Sequence, residues 1–466
     1  MELLYIFQAS KKYTQKGIVL ADISPGLSCM SIYVITDDLT GANDTAVQFA
    51  KKGLRTFVFL DTTSASKKDH ELEVVVLNTE SRALPAPLAV ERIRSAFHSL
   101  PLAESDILFK KIDSTLRGNV VPEVEEALRL SKKEIAIVAP AYPKNRRTTV
   151  HGIHYVRGIP VAETEVATDP RCPVKHSHIP TLFQSQGSLP TASIPLEEVR
   201  RATLREKIST LAQEGRRILI FDAEVEEDLQ RIVREALASG RKSLWVGSAG
   251  LAEALSEQYL TIRTSKAQGS FTSPAFQSSL SPVPKPALVI LGSMSEVSTQ
   301  QGGVFVTWAG IKPLILDPKE TLTGNPMARE KVLESIHTQL REGKHTLLMT
   351  HRQKMGPSSN GSSDPIKTLL QTFQGLGAAI DFSICSGLIV TGGDIAMAVC
   401  KGMGVHSIEV LDETSPGIPL GLVRGGKWEG LPLVTKAGAF GNPDAFILAV
   451  RRISRISGKE NGSWNK

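Results

Sequence analysis

At 466 residues the chain is longer than one hydrophobic core usually organises, about 250 to 300 residues, so two domains are the default. Its 41% hydrophobic and 22% charged residues are ordinary for a soluble globular protein and exclude a disordered or fibrous one. The formal charge of +6 comes from basic residues scattered along the chain, which gives nucleic-acid binding little support and suits anionic small molecules.

Cys29, Cys172, Cys385 and Cys400 form no CxxC pair, which predicts reduced thiols in a cytoplasmic protein. No run of about 18 apolar residues predicts a membrane span. Residues 1–29 lack the basic start and apolar stretch of an export signal. Because Met30 directly precedes the strand-like SIYVIT, residues 1–29 are expected to be an extension outside the fold.

From Met30 onward, short β-rich runs alternate with amphipathic helical segments: SIYVIT, TFVFLD, EVVVLNT, DILFKKID, IAIVAP, RILIFDA and SLWVGS. That alternation predicts an α/β domain over residues 30–262. Residues 263–286, rich in Ser, Pro and Gln without apolar periodicity, read as a linker. ALVILGS, PLILD, HTLLMT, GLIVTGGD, HSIEVLD, IPLGLV and LPLVTKAG predict a second α/β domain over 287–466, with a Ser/Gly-rich loop at 354–365. The expected fold class is α/β: two domains with mainly parallel sheets and an active-site cleft between them.

In TDDLTGAND, Asp37 and Asp38 end the first strand just before a helix, and the carboxyl ends of strands are where open α/β sheets bind ligands. One carboxylate can take a proton while its neighbour holds a hydroxyl or a metal ion, although helix capping alone would also place an Asp there. KKIDSTLRGN compresses Lys110, Lys111, Asp113, Ser114 and Arg117 into one strand end, where Lys and Arg suit a carboxylate and Asp113 and Ser114 suit hydroxyls. NTESR brings Glu80 and Arg82 to what should be the same sheet edge. The loop APAYPKNRRTTVHG, with Lys144, Arg146 and Arg147, either frames the substrate or bridges two elements. His151, His154, His176 and His178 lack metal-site spacing.

In the second half, LIVTGGDIAMAV runs from an apolar strand through Gly392 and Gly393 into a helix opened by Asp394 and Ile395, whose free N–H groups suit a phosphate; Asp394 itself suits Mg²⁺, a ribose hydroxyl or an N-cap, and a plain tight turn would read the same. VILGSMSEVS, with Gly292 and Ser293, and LVTKAGAFGN, with Lys436, Gly438 and Gly441, repeat that style, and three such junctions in one domain favour a nucleotide. WVGSAGLAEAL at residues 245–255 reads as a structural turn. Neither GxxxxGK[ST] nor a GxGxxG after the first strand is present, so a P-loop enzyme or a dinucleotide dehydrogenase fits poorly.

Taken together, ITDDLTGANDTAVQFAKKG, NTESR, FKKIDSTLRGN, VAPAYPKNRRTTVHGIHYV, VTGGDIA and TKAGAFGNPDAF resemble the four-carbon acid sugar kinase family, from Met30 almost to Ser454. The resemblance implies a sugar-acid-binding amino-terminal domain, an ATP-binding carboxy-terminal domain, and ATP-dependent phosphorylation of the terminal hydroxyl of D-threonate, D-erythronate or an oxo-tetronate. It implies substrate contacts at Asp38, Arg82, Lys111, Asp113 and Ser114, and nucleotide contacts at Ser293, Gly392, Gly393, Asp394, Ile395 and Gly438. GIPVAETEVATDPRCPVKHSHIP looks closer to the threonate and erythronate enzymes. Where the family often has asparagine and glycine before the arginine of the PAYP loop, this chain reads KNRRTT.

The expected mechanism brings ATP with Mg²⁺ on the second domain to the acid on the first. Asp38 or Asp113 would act as base, Lys111, Arg82 and Arg117 would bind the carboxylate, and domain closure would exclude water. A 3-oxo-tetronate 4-kinase and a non-catalytic nucleotide or sugar-acid sensor are the alternatives. Neither nucleic acid nor membrane is an expected partner, and a homo-oligomer is compatible with the reading.

Overall fold

The computed structural model of the protein describes residues 30–61, 72–266, 285–293, 295–316, 326–350 and 365–460. The expected extension, the loop at 354–364 and most of the expected linker lie outside the described residues. Residues 263–266 belong instead to the long helix Ala249–Lys266.

Eleven strands form in the first half: β1 (Ile32–Thr36), β2 (Thr56–Phe59), β3 (Val74–Asn78), β4 (Ile107–Lys111), β5 (Ile135–Ala139), β6 (Arg147–Val150), β7 (Ile153–Val156), β8 (Ile159–Pro160), β9 (Thr191–Ile194), β10 (Ile218–Phe221) and β11 (Ser243–Gly247). Strands 1 to 5, 10 and 11 are apolar runs that sit where the sequence predicts them. Buried Val and Ile on both faces are what a parallel strand covered by helices on two sides requires. Strands 6 to 9 are short and polar, and nothing in the sequence pattern marks them. Strands β6–β7–β8 form a separate antiparallel sheet whose turns use left-handed backbone at His151, Gly152, Arg157 and Gly158.

The second half adds β12 (Leu288–Leu291), β13 (Leu314–Leu316), β14 (Thr346–Thr350), β15 (Leu388–Thr391), β16 (Ser407–Ser415), β17 (Ile418–Arg424) and β18 (Pro432–Lys436). The two halves share one 15-stranded sheet, ordered β13-β14-β12-β15-β18-β17-β16-β2-β3-β1-β4-β11-β5-β10-β9. Within it, β2 through β9 pair in parallel and so do β13 through β18. The joint is antiparallel: β18 to β17, β17 to β16, and β16 to β2 from Ser407↔Phe59 to Val410↔Thr56.

This order creates two crevices. Strand β1 lies between β3 and β4, where the chain order reverses, and β12 lies between β14 and β15 for the same reason. Such switch points are the ligand sites of open α/β sheets. Strand direction inverts across the joint, so a flat sheet would aim the two sets of carboxyl ends apart. Accumulated twist and the two register shifts in β16 are the devices available to bring them together.

Each half keeps its own apolar core. The first packs Ile35, Leu77, Val121, Val138 and Ile220, and the second Val289, Phe305, Ile389, Val434 and Phe446. Among the described residues no helix is long and apolar enough to cross a membrane.

Candidate active site

At the end of β1, two adjacent carboxylates receive different environments. Arg82 grips Asp37 through two hydrogen bonds, Nε to Oδ2 at 2.9 Å and Nη2 to Oδ1 at 2.8 Å, and reaches Asp38 Oδ1 at 2.5 Å. The Asp37 carbonyl also accepts the backbone N–H groups of Ser81 and Arg82, which ties the β3 loop to β1. Asp38 caps the helix Leu39–Ala50 by accepting from Gly41 N at 3.0 Å, again through Oδ1. Its Oδ2 is therefore left toward the crevice. Burial raises the Asp37 carboxyl but Arg82 outweighs it, so that group lies below its ordinary range. For Asp38, burial together with Asp37 and Asp113 outweighs Arg82 and Lys111, so its pKa rises.

Consecutive residues of β4 point to opposite faces, and this separates the two lysines. Lys110 is 1% exposed and pairs with Glu123 Oε2 at 2.8 Å, while Glu123 also accepts from Ser81 Oγ at 2.7 Å. Lys111 is 3% exposed, and its ammonium makes no hydrogen bond or ion pair among the described residues. A Cβ added to Gly41 would stand 2.8 Å from Lys111 Nζ and 2.5 Å from Asp38 Oδ1, which places that cation beside the carboxylate. Beyond β4, Asp113 accepts from Arg117 Nε at 2.7 Å and from Thr115 Oγ1. Arg117 and Arg82 overcome the effect of burial and hold Asp113 well below the usual carboxylate range. Arg117 also reaches Asp169 Oδ2 at 3.3 Å. The Ser114 carbonyl accepts from His154 Nε2 at 2.9 Å, and the other ring nitrogen lies 3.0 Å from Thr149 Oγ1.

The second crevice is built of backbone. Gly392 precedes the helix Gly393–Met403 with φ 91°, a left-handed conformation that lets the chain turn sharply from β15, and its N–H donates to Lys436 O at 3.0 Å. Ile395 packs underneath, so close to Gly292 that a Cβ there would come within 2.5 Å of Ile395 Cγ1. Ser293 N donates to Thr391 Oγ1 at 3.2 Å, and Ser293 Oγ to Ser295 Oγ at 3.2 Å. Gly438 presents its carbonyl to Ser295 Oγ at 2.7 Å and Ser298 Oγ at 2.9 Å. Lys436, 1% exposed, donates to the Ala437, Gly438 and Phe440 carbonyls, and burial pulls its pKa down to about 7. Gln301 Nε2 adds three more bonds to the carbonyls of Phe440, Gly441 and Asn442. The loop after β18 is thus fixed in shape.

The two crevices meet. A Cβ added to Gly393 would lie 2.6 Å from Thr40 Oγ1 and 3.2 Å from Asp38 Oδ2. Polar contacts fasten the seam around this point: Asn43 Nδ2 to Thr435 Oγ1 at 2.9 Å, Arg171 to Asp394 at 2.5 Å, and Lys401 to Glu80 at 2.5 Å. Arg147 stands over the Phe440 ring at 5.4 Å.

Domain models with matching descriptions cover both halves: a sugar-binding N-terminal domain over residues 32–255 and a nucleotide-binding C-terminal domain over 288–446. A D-threonate kinase of Salmonella typhimurium is 34% identical over 92% of this chain and 99% of its own length. The chain belongs to the four-carbon acid sugar kinase family. A second relative, a D-erythronate kinase of Heliobacterium modesticaldum, is 27% identical over 90% of this chain and 96% of its own. A crystal structure from Salmonella typhimurium LT2 superposes with a TM-score of 0.73 at 23% identity, covering 91% of this chain and 99% of that one, which shows the fold.

In this four-carbon acid sugar kinase, Asp37, Asp38, Arg82, Lys111, Asp113 and Arg117 gather around one crevice, where Ser114 is held through its carbonyl by His154, and Ser293, Gly392–Ile395 and Gly438 gather around the other. Lys110 does not join them, because β4 turns it into a buried pair with Glu123. Asp394 lies at the rim, its side chain 57% exposed and bonded to Arg171. The sequence reading missed Asp44, Lys436 as the organiser of its loop, and the supporting Glu123, His154, Ser298 and Gln301. Asp44 carried a signal in its helical spacing from Thr40 and Gly41, while Lys436 and His154 stood in segments already singled out but without these roles.

Proposed function

We propose that this protein is an ATP-dependent kinase that phosphorylates the terminal 4-hydroxyl of a four-carbon sugar acid, D-threonate or D-erythronate. The observation that carries the reading is the approach of Gly393, at a helix start suited to phosphate, to the free oxygen of Asp38, at 3.2 Å from its added Cβ. A base beside a helix start that suits a phosphate is what phosphoryl transfer needs.

The acid's carboxylate binds Lys111, a buried cation that makes no hydrogen bond or ion pair among the described residues. Arg82 and Arg117 act mainly by holding Asp37, Asp38 and Asp113 in place, since each is already committed to them. Of the two expected bases Asp38 suits the role, because its raised pKa and open Oδ2 fit proton acceptance, whereas Asp113 is held ionised with both oxygens engaged. As the 4-oxygen forms its bond to the γ-phosphorus, the bond from that phosphorus to the β,γ-bridging oxygen breaks. ADP leaves, and the hydroxyl proton passes to Asp38.

Mg²⁺ carried by ATP needs only one or two protein carboxylates, and Asp394, at the start of the helix that follows Gly392, would supply one. The ion would neutralise charge on the transferring phosphoryl group. Three of the cysteines, Cys172, Cys385 and Cys400, are unpaired, which supports a cytoplasmic setting.

An ADP-release assay over a panel of tetronic acids, with 3-oxo-tetronate included, tests the proposal. Turnover with D-threonate or D-erythronate is expected. Tight binding without ADP release would make the protein a sensor, and release with the oxo acid alone would move the substrate.

A further inference from the structure

We infer that Asp44 is a specificity-determining residue, the acceptor for a secondary hydroxyl of the sugar acid. This rests on the kinase reading for the identity of the ligand and goes beyond it in assigning a residue that reads the substrate's stereochemistry.

The helix Leu39–Ala50 begins at the site, with Thr40 touching the Gly393 turn and Gly41 touching Asp38 and Lys111. Asp44 follows Gly41 by three residues and Thr40 by four, so it continues the same helical face one turn deeper. It is 8% exposed, yet its carboxylate makes no hydrogen bond or ion pair among the described residues, and Oδ1 is fully buried without a partner. Its charged neighbours come from every side of the crevice: Lys111 on β4, Arg147 on β6, Glu413 on β16, and Asp38. The two cations stop short of ion pairing with it. Arg147 Nε is itself buried without a partner.

A buried carboxylate with no donor is unfavourable unless something supplies one, and burial pushes Asp44 up to about 6. A polyhydroxy acid supplies what is missing. Its hydroxyl donates to Asp44, and its negative end satisfies Lys111. A site built to bond a hydroxyl discriminates against analogues that lack it far more strongly than an apolar pocket can.

The test measures binding by calorimetry without ATP, so that it does not depend on turnover. Wild type, Asp44→Ala and Asp44→Asn are titrated with D-threonate, D-erythronate, 2,4-dihydroxybutyrate and 3,4-dihydroxybutyrate, and melting temperatures are recorded alongside. Wild type should prefer a tetronic acid over one of the two deoxy acids by roughly 100-fold or more. Asp44→Ala should shrink that preference to a few-fold, and Asp44→Asn, which keeps an acceptor oxygen, should fall between. Neither variant should melt lower than wild type, because an unpaired buried charge is being removed. If Asp44 merely faced an anion without bonding it, its removal would tighten all four acids alike, and that would overturn the inference. Equal weakening of all four, lowered melting with unchanged preference, or no binding of any tetronic acid by wild type would also overturn it. Failure of the kinase reading would look different: selective binding lost in Asp44→Ala, but no ADP release from wild type.

Discussion

Lys110 and Lys111 are chemically identical neighbours with opposite circumstances, and the difference lies in which face of β4 each occupies. Removing Lys110 strands the Glu123 carboxylate in the core, so Lys110→Ala should destabilise the protein by about 3–5 kcal/mol in chemical denaturation. Lys111→Ala should leave the denaturation midpoint near wild type and raise KM for the acid by about 10- to 100-fold, the scale of a charged hydrogen bond. Asp38→Asn should lower kcat by about 10²–10⁴-fold with the fold intact. Because Asp38 must be ionised to accept a proton and its pKa is raised, kcat/KM should fall on the acid side at a pH above the ordinary carboxylate range. A pH–rate profile checks this. The motifs made these residue types legible, since polar groups packed after apolar strands are conspicuous. Which of them were already neutralised was not legible, because their partners Glu123 and Asp169 lie in other segments.

At the scale of elements, the polar sheet β6–β8 matters more than its sequence suggests. His154 on β7 joins it to the Ser114 carbonyl, and burial lowers its pKa from 6.5 to about 4. The unfolded chain takes up a proton near the ordinary value while the folded one does not. Its contribution is therefore intact above about 6.5 and is lost as pH falls toward 4. Melting temperature measured across this window should drop, and His154→Asn should flatten that part of the curve. The Gly393 turn is the other sensitive element. Gly393→Ala places a methyl group against Thr40 and Asp38, so kcat/KM should fall by up to about 100-fold while melting stays near wild type. Parallel core strands were readable as apolar runs. Strands β6 to β9 were not, because their few residues carry no periodic pattern.

Across the whole molecule, the chain order of strands made both halves legible as α/β units but hid their union. The joint is made by β2 and β16, segments that lie far apart in sequence and pair through backbone groups that any residue possesses. Its ion pairs, Lys51 with Glu413 at 3.0 Å and Arg55 with Glu409 at 3.3 Å, are likewise invisible in a linear reading. The sequence implies closure of two domains over both ligands; in the structure a shared sheet brings the two crevices together at Gly393. The most direct test is a crystal structure with D-threonate and a non-hydrolysable ATP analogue bound together. The account predicts the 4-hydroxyl within hydrogen-bonding distance of Asp38 Oδ2, with the γ-phosphate at the start of the Gly393–Met403 helix. An acid whose terminal hydroxyl faces away from both would contradict it.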